Sequence, residues 1–272
     1  MSRPYACSIV AAPVERPPDN SVTRPIAAAD SRAVPCDGWA RMSHADRIFL
    51  ETTRRLAPRR LAQDDVHAAL QLAQVEPGKP VADLGCGYGR HLRELVQYGH
   101  RATGVDRSGL LLAEARAEAP GAALVRADLR ALPLHQGSLA AAFCFYSSMF
   151  LGSEEDAALA LVEAARVLRP GGALVLTSDN PLRLAASPHV KIEHEVPGLG
   201  RVVEEGRFDG AVDHVRKTVR LESGEILEAK FHIRYYRPGA LAALAYVAGL
   251  RFARLHEPLT ETTPQLIALL EK

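Results

Sequence analysis

The sequence predicts an α/β fold built on a parallel sheet with both faces covered, and three observations predict it. Between residues 80 and 177, short apolar runs alternate with helix-patterned stretches, the order that yields a parallel sheet flanked by helices. The run Val81-Ala82-Asp83-Leu84-Gly85-Cys86-Gly87-Tyr88-Gly89-Arg90 sets three alternating glycines between an apolar strand and a helical pattern. Residues 181–234 then change to a period of two with no convincing helix, which marks an antiparallel insert inside the α/β order.

Each element has its own signal. Ser43 followed by Asp46 reads as a helix cap, and Ile48, Phe49 and Leu56 make a helical stripe that ends before Pro58. Asp64 is expected to cap a second helix reaching Ala73. The first strand spans 80–84 and leads through the glycines into a helix over 91–97. A second strand over 101–105 precedes Ser108, which caps a helix over 110–117. Strands three and four fall at 122–125 and 139–145. A helix over 154–168 stops at Arg169-Pro170-Gly171-Gly172, because proline and glycine cannot continue it, and strand five follows at 173–177.

Within the insert, Val215, Lys217, Val219 and Leu221 share one parity, and His214, Arg216, Thr218 and Arg220 the other. Ser223-Gly224 turns the chain into a strand with Leu227, Ala229, Phe231, Ile233 and Tyr235 on one face, and Arg207-Phe208-Asp209-Gly210 suggests an earlier strand and turn. A helix over 238–248 and strands at 250–256 and 265–270 complete the chain. The last two strands form the hairpin that closes a seven-stranded sheet.

Composition narrows the function. Among 272 residues, a net charge of +1 carries no basic excess for nucleic acid or an acidic membrane surface, and neither partner is expected. No apolar run approaches the ~20 residues that span a bilayer. Cys7, Cys36, Cys86 and Cys144 lack metal-type spacing and read as reduced thiols of a cytoplasmic protein; no metal is expected. Residues 1–38 carry Pro4, Pro13, Pro17, Pro18, Pro25 and Pro35 among polar residues. Such a stretch buries too little apolar surface to offset its ordering entropy, so a flexible tail is expected. Its 6–14 segment is too short for a signal-peptide core and is broken by Pro13. A monomer or homodimer is expected.

Glycines at a strand-to-helix turn let the backbone approach a ligand closely. The nicotinamide fingerprint reads G-x-G-x-x-G, whereas here the third glycine comes one residue early and Asp83 precedes the first by two. A carboxylate there repels a pyrophosphate and suits a ligand carrying an ammonium and a sulfonium. These residues resemble motif I of the class I S-adenosylmethionine (SAM)-dependent methyltransferases. Gly104-Val105-Asp106 is similar to the family's second motif and Ala127-Asp128-Leu129 to its adenine-side motif. Arg169-Pro170-Gly171-Gly172 is similar to its turn before strand five, and Tyr236-x-Pro238 with Ala248-Gly249-Leu250 to its C-terminal passage. The loop from Phe145 through Tyr146 and Ser147 to Gly152, with the insert, resembles the bacterial small-molecule subgroup that carries an antiparallel substrate cap. An Asn/Asp-Pro-Pro-aromatic signature, frequent in nucleic-acid methyltransferases, is absent after strand four.

The resemblance implies a Rossmann-like, mostly parallel seven-stranded sheet with its last strand antiparallel. It implies helices of 39–75 over the cofactor site, a core of 76–180 and 235–272, and a substrate cap of 181–234. It implies S-adenosyl-L-methionine as cofactor and S-adenosyl-L-homocysteine as product. Asp83 with Gly85, Cys86 and Gly87 would hold the amino-acid end, Asp106 with Arg107 the ribose, and Asp128 and Leu129 the adenine. Tyr146 would face the crevice and contribute to cofactor binding. Candidate catalytic residues are Tyr146, His189 and His232, with His194, His214, Asp179 and Tyr235 as further potential bases in or near the cap. Arg216, Arg220, Lys230 and Arg234 share parity with His214 and His232. That face is either solvated, with Glu228 interleaved, or turned inward to an anionic substrate. The expected reaction moves a methyl group to an O, N or C nucleophile of a small molecule in specialised metabolism. A non-catalytic SAM-binding sensor and a nicotinamide-dependent oxidoreductase are the alternatives.

Overall fold

The computed structural model describes residues 44–272; the 1–38 tail and the Ser43 cap lie outside the described residues. Five strands run parallel: β1 (Pro80–Leu84), β2 (Arg101–Asp106), β3 (Ala123–Arg126), β4 (Leu139–Cys144) and β5 (Leu168–Asp179). An antiparallel insert follows, made of β6 (His189–Val196), β7 (Gly200–Phe208), β8 (Val212–Leu221) and β9 (Ile226–Arg234). The chain then returns to the main sheet with β10 (Arg251–Leu255) and β11 (Gln265–Glu271). The seven-stranded order is β10-β11-β5-β4-β1-β2-β3, and β11 runs antiparallel to both of its neighbours. Every residue of β4 is buried, as a central parallel strand covered on both faces requires. The order reverses between β1 and β4, so the crevice for a ligand opens beyond their carboxyl ends.

Among the described residues, seven α-helices accompany the two sheets. They are α1 (His44–Leu56), α2 (Arg59–Ala73), α3 (Arg90–Gln97), α4 (Gly109–Glu118), α5 (Glu154–Val167), α6 (Pro181–Ala186) and α7 (Pro238–Val247). Side chains of α2, α3 and α4 pack on one face with Val81, Ala141 and Phe143. Side chains of α5 and α7 cover the other with Ala82, Ala142 and Leu174. Ser108 caps α4 by accepting from Leu111 N, and Ser153 with Asp156 forms a reciprocal capping box on α5.

The insert is amphipathic. Val202, Val219, Leu227 and Ala229 on its apolar face pack against Ile48 of α1. That helix also reaches the main domain, where Leu50 packs with Tyr88 and Leu111. No described helix is long and apolar enough to cross a membrane.

Three features differ from expectation by more than a residue. Helix α2 begins at Arg59, directly after Pro58, and Asp64 lies inside it; the buried stripe through Ala62, Asp65, Val66 and Ala69 already favours helix there. A short helix, α6, opens the insert that was read as strand only. Its signals are Asn180, which accepts from Leu182 N, and Pro181 at the first helical position. Strand β5 runs from Leu168 to Asp179 rather than over 173–177, because Leu168 pairs with Leu139 of β4 at one end and β11 pairs with it through Asp179 at the other.

Candidate active site

The glycine loop is shaped by backbone dihedrals that L side chains avoid. Gly85, Gly87 and Gly89 have φ of 84°, 55° and 90°. A Cβ at Gly85 would lie 2.4 Å from Ser148 Cβ, and one at Gly87 would lie 3.0 Å from the Phe49 ring. The loop is thus held between the segment after β4 and helix α1. In β2, a Cβ at Gly104 would meet Leu92 at 2.5 Å and the Cys86 sulfur at 2.9 Å. The Cys86 side chain therefore fills the core beside Gly104, and only its backbone belongs to the loop. Burial, with the nearby Asp83 and Asp106 charges, pushes its thiol pKa up.

Two carboxyls stand at the ends of neighbouring strands. Asp83 is 1% exposed, and neither of its oxygens has a hydrogen-bond partner. Burial and then repulsion from Asp106 push its pKa up to about 8, while Arg90 draws it down. Asp106 accepts from Gly87 N at 2.9 Å and from Ser108 N at 2.8 Å, one backbone bond per oxygen. Burial still raises its pKa above the ordinary value. Arg107 beside it is exposed, and its carbonyl accepts from Arg126 Nε. Asp128 is held by Arg130 in a two-point fork, 2.9 Å at Oδ1 and 2.7 Å at Oδ2, which keeps its pKa low. Arg130 also pairs with Asp156 at 2.6 Å. Leu129 packs half-buried against the main core.

Beyond β4 the chain adopts left-handed backbone at Tyr146 (φ 53°) and Ser147 (φ 59°), a conformation costly for non-glycine residues and held here by side-chain bonds of Tyr146 and a backbone bond from Ser147 N to the Thr177 carbonyl. Tyr146 N donates to Thr177 Oγ1, and its hydroxyl donates to Asp65 Oδ2 at 2.9 Å. The Arg90 guanidinium lies 4.6 Å from the centre of the Tyr146 ring. His91 Nε2 is 3.1 Å from the same Asp65 oxygen, and its ring stacks on Phe145 at 4.1 Å. Gln265 Nε2 donates to Asp65 Oδ1 at 3.2 Å.

Burial alone would raise the Asp65 pKa, but the bond and charge of His91, with the bonds from Gln265 and Tyr146, hold it below the ordinary value. Burial and the Arg90 charge push His91 down to about 4, so its imidazole is neutral near pH 7. Burial, followed by the Asp65 charge, raises the Tyr146 pKa. Sequence reasoning missed Asp65, Arg90 and His91. The available signal was an acid at position 65, inside the apolar stripe of α2, where charged side chains are rarely buried unless paired.

The histidines of the insert lie elsewhere. Strand register puts His189, Arg207, His214 and His232 in one row across β6 to β9, on the face turned away from α1. The row borders a groove of about 520 Å³ that Lys191, Glu205, Arg216 and Lys230 also line. Arg216 and Lys230 both approach Glu228, at 4.0 and 3.5 Å, as a solvated ionic face does. The structure brings Tyr146 together with the glycine loop and leaves His189 and His232 apart from both. The physical reason is the alternation of the strands. Packing the apolar parity on α1 turns the histidine parity outward.

The sheet order, the glycine turn and the paired acids at the ends of β1 and β2 define the class I methyltransferase fold. Residues 82–176, which cover most of β1 to most of β5, match the family model described as a methyltransferase domain. It is similar to the malonyl-[acyl-carrier protein] O-methyltransferase of Enterobacter lignolyticus, 28% identical over 183 residues, 65% of this chain and 66% of that protein. It is also similar to an uncharacterized 37.1 kDa protein in transposon TN4556 of Streptomyces fradiae, 37% identical over 39% of this chain and 32% of that protein. The chain thus spans from about a third to about two-thirds of these curated relatives' lengths. Among solved structures, the CcbJ methyltransferase of Streptomyces caelestis superposes with a TM-score of 0.71 at 20% identity, over 84% of this chain and 97% of that one. SAM-bound CalS10, an amino pentose methyltransferase of Micromonospora echinaspora involved in calicheamicin biosynthesis, gives 0.65 at 20% identity, over 82% and 96%. At such identities these two structures share the fold with this chain.

Proposed function

We propose that the protein is a SAM-dependent methyltransferase acting on a small-molecule acceptor in specialised metabolism. The observation that carries this reading is the Asp83 carboxyl, buried with both oxygens orphaned at the crevice end of β1. A buried polar group without a partner is costly, and an ammonium supplies the missing partner and the missing charge together. The rest of the site fits the same ligand. Gly85 and Gly87 leave a cradle without Cβ atoms, and each Asp106 oxygen keeps acceptor capacity for a ribose hydroxyl. Leu129 and Asp128 are assigned to the adenine on the strength of the resemblance, with Asp128 sharing its charge with Arg130.

When bound, the cofactor supplies a methyl group activated by its sulfonium. The chain contributes proximity, orientation and exclusion of water. Helix α1 covers the glycine loop through Phe49, and Arg54 lies 5.3 Å from the centre of the Tyr88 ring. The insert, docked on α1, acts as the cap over the acceptor. Titration calorimetry with SAM and S-adenosylhomocysteine tests the reading. Micromolar dissociation constants are expected, and silence at millimolar ligand would sink it.

A further inference from the structure

Arg90, the first residue of α3, carries a charge that its own helix does not explain. A cation at a helix N-terminus opposes the helix dipole, and no side chain caps this end. Among the described residues, no carboxylate pairs with the half-buried Arg90 guanidinium. Asp83, across the glycine loop, does not bond to it, since both Asp83 oxygens lack a donor. What Arg90 touches is Tyr146. The guanidinium lies 4.6 Å from the ring centre and donates to the phenolic oxygen. Helix α3 starts after β1, and Tyr146 follows β4, so this contact bridges the carboxyl ends of the two strands between which the sheet order reverses. The guanidinium therefore stands where the ligand crevice opens.

The contact is braced from behind. The Tyr146 hydroxyl accepts from Arg90 and donates its own proton to Asp65 Oδ2 at 2.9 Å. Asp65 of α2 is 5% exposed, and Gln265 and His91 hold its carboxylate at 3.2 and 3.1 Å. Tyr146 cannot rotate away cheaply, because its backbone is left-handed and its amide is tied to Thr177. A guanidinium fixed in advance by a ring and a hydroxyl gives up less freedom when it binds, and the Tyr146 bond uses only part of its five-donor fork. Two unmet groups of opposite sign thus flank the glycine loop: the carboxyl of Asp83 and the guanidinium of Arg90. A ligand carrying both an ammonium and a carboxylate satisfies the pair, whereas a pyrophosphate or a simple amine satisfies one member.

Resting on the methyltransferase reading, we propose that Arg90 takes the carboxylate of the cofactor's amino-acid end while Asp83 takes its ammonium. Tyr146 and Asp65 are positioning residues that hold the guanidinium for that carboxylate.

The test is titration calorimetry on the full-length protein with two ligands, S-adenosylhomocysteine and its decarboxylated analogue, which keeps the ammonium, the sulfur and the nucleoside. Wild type is expected to bind the first at least about tenfold more tightly, as the loss of a charge-assisted fork requires. Equal affinities overturn the proposal before any variant is made. Arg90→Gln is expected to weaken S-adenosylhomocysteine binding at least about tenfold and to leave the analogue within about twofold. Tyr146→Phe and Asp65→Asn are each expected to weaken the first ligand about threefold and to spare the analogue. Neither is expected to add to the loss in Arg90→Gln, because both act through that guanidinium. Losses of equal size on both ligands would mean a general loosening of the site and would overturn the assignment of Arg90. Losses that add to Arg90→Gln would overturn the positioning roles of Tyr146 and Asp65. Arg90 is half-buried and Tyr146→Phe keeps the ring, so these arms stand even where Asp65→Asn folds poorly. Wild type that binds neither ligand refutes the methyltransferase reading itself, whereas wild type that binds both equally refutes only this step.

Discussion

Replacing Asp83 with asparagine isolates the cost of an unpartnered buried acid. The folded Asp83 pKa is raised from 3.8 to about 8, so the folded state holds a proton that the unfolded chain releases. The sign follows from linkage. This group's contribution to stability is greatest below pH 3.8 and is lost as pH rises towards about 8, then levels off. The slope inside that window is about 1.4 kcal/mol per pH unit, so raising pH from about 5 to 7 removes about 2.7 kcal/mol from the wild type. Asparagine does not titrate, and the variant lacks this loss. Asp106 is also raised, but by burial and Asp46, so its pH dependence is common to both proteins and cancels in the difference. Urea unfolding of wild type and Asp83→Asn at pH 5, 6 and 7 measures the quantity directly. The variant should gain on the wild type by about 2–3 kcal/mol across the series. A stability difference that stays flat across these pH values would refute an unpartnered, protonated Asp83. With the ligand's ammonium as partner, wild-type affinity for S-adenosylhomocysteine should rise with pH over the same range, and the variant's should not.

Three further outcomes are expected. Gly85→Ala combines a left-handed backbone with a 2.4 Å approach to Ser148 Cβ, and should cost about 2–4 kcal/mol in chemical denaturation while weakening ligand binding. Ser153→Ala removes one half of the α5 capping box and should cost about 1 kcal/mol with ligand affinity untouched, read by thermal unfolding and calorimetry. Asp106→Ala leaves Gly87 N and Ser108 N without their acceptor, and should lower stability by about 2–3 kcal/mol and ligand affinity by at least about tenfold.

What could be read from the sequence was local. Strand β1 and the cap at Ser108 rest on neighbouring residues, through an apolar run or a side chain reaching a nearby backbone amide. The glycine loop was legible for the same reason, since turn geometry and glycine go together over a few positions. Partnerships set by the tertiary fold were not. Tyr146 finds Asp65 81 positions away, and Gln265 reaches the same carboxylate across 200 positions. The two parities of β8 and β9 were visible, but which one turns inward depends on Ile48 of α1, more than 150 positions earlier. His189 and His232 therefore looked like site residues on composition and lie on the opposite face in space. The motif around Asp128 implies an adenine-side acid, and only the fold shows Arg130, two residues on, gripping it.

Helix α1 has a mechanical consequence. Its thirteen residues are shared between two bodies. Ile48 belongs to the core of the insert, Leu50 packs with Tyr88 of the glycine turn, and the Arg47–Glu225 and Arg54–Glu114 ion pairs tether its two ends. A ligand that displaces this helix disturbs both attachments at once, so the door to one compartment cannot open while the other stays latched. Were ligands on the two sides each to move this helix, each would change the other's affinity by an equal factor, as any coupling through a shared element demands.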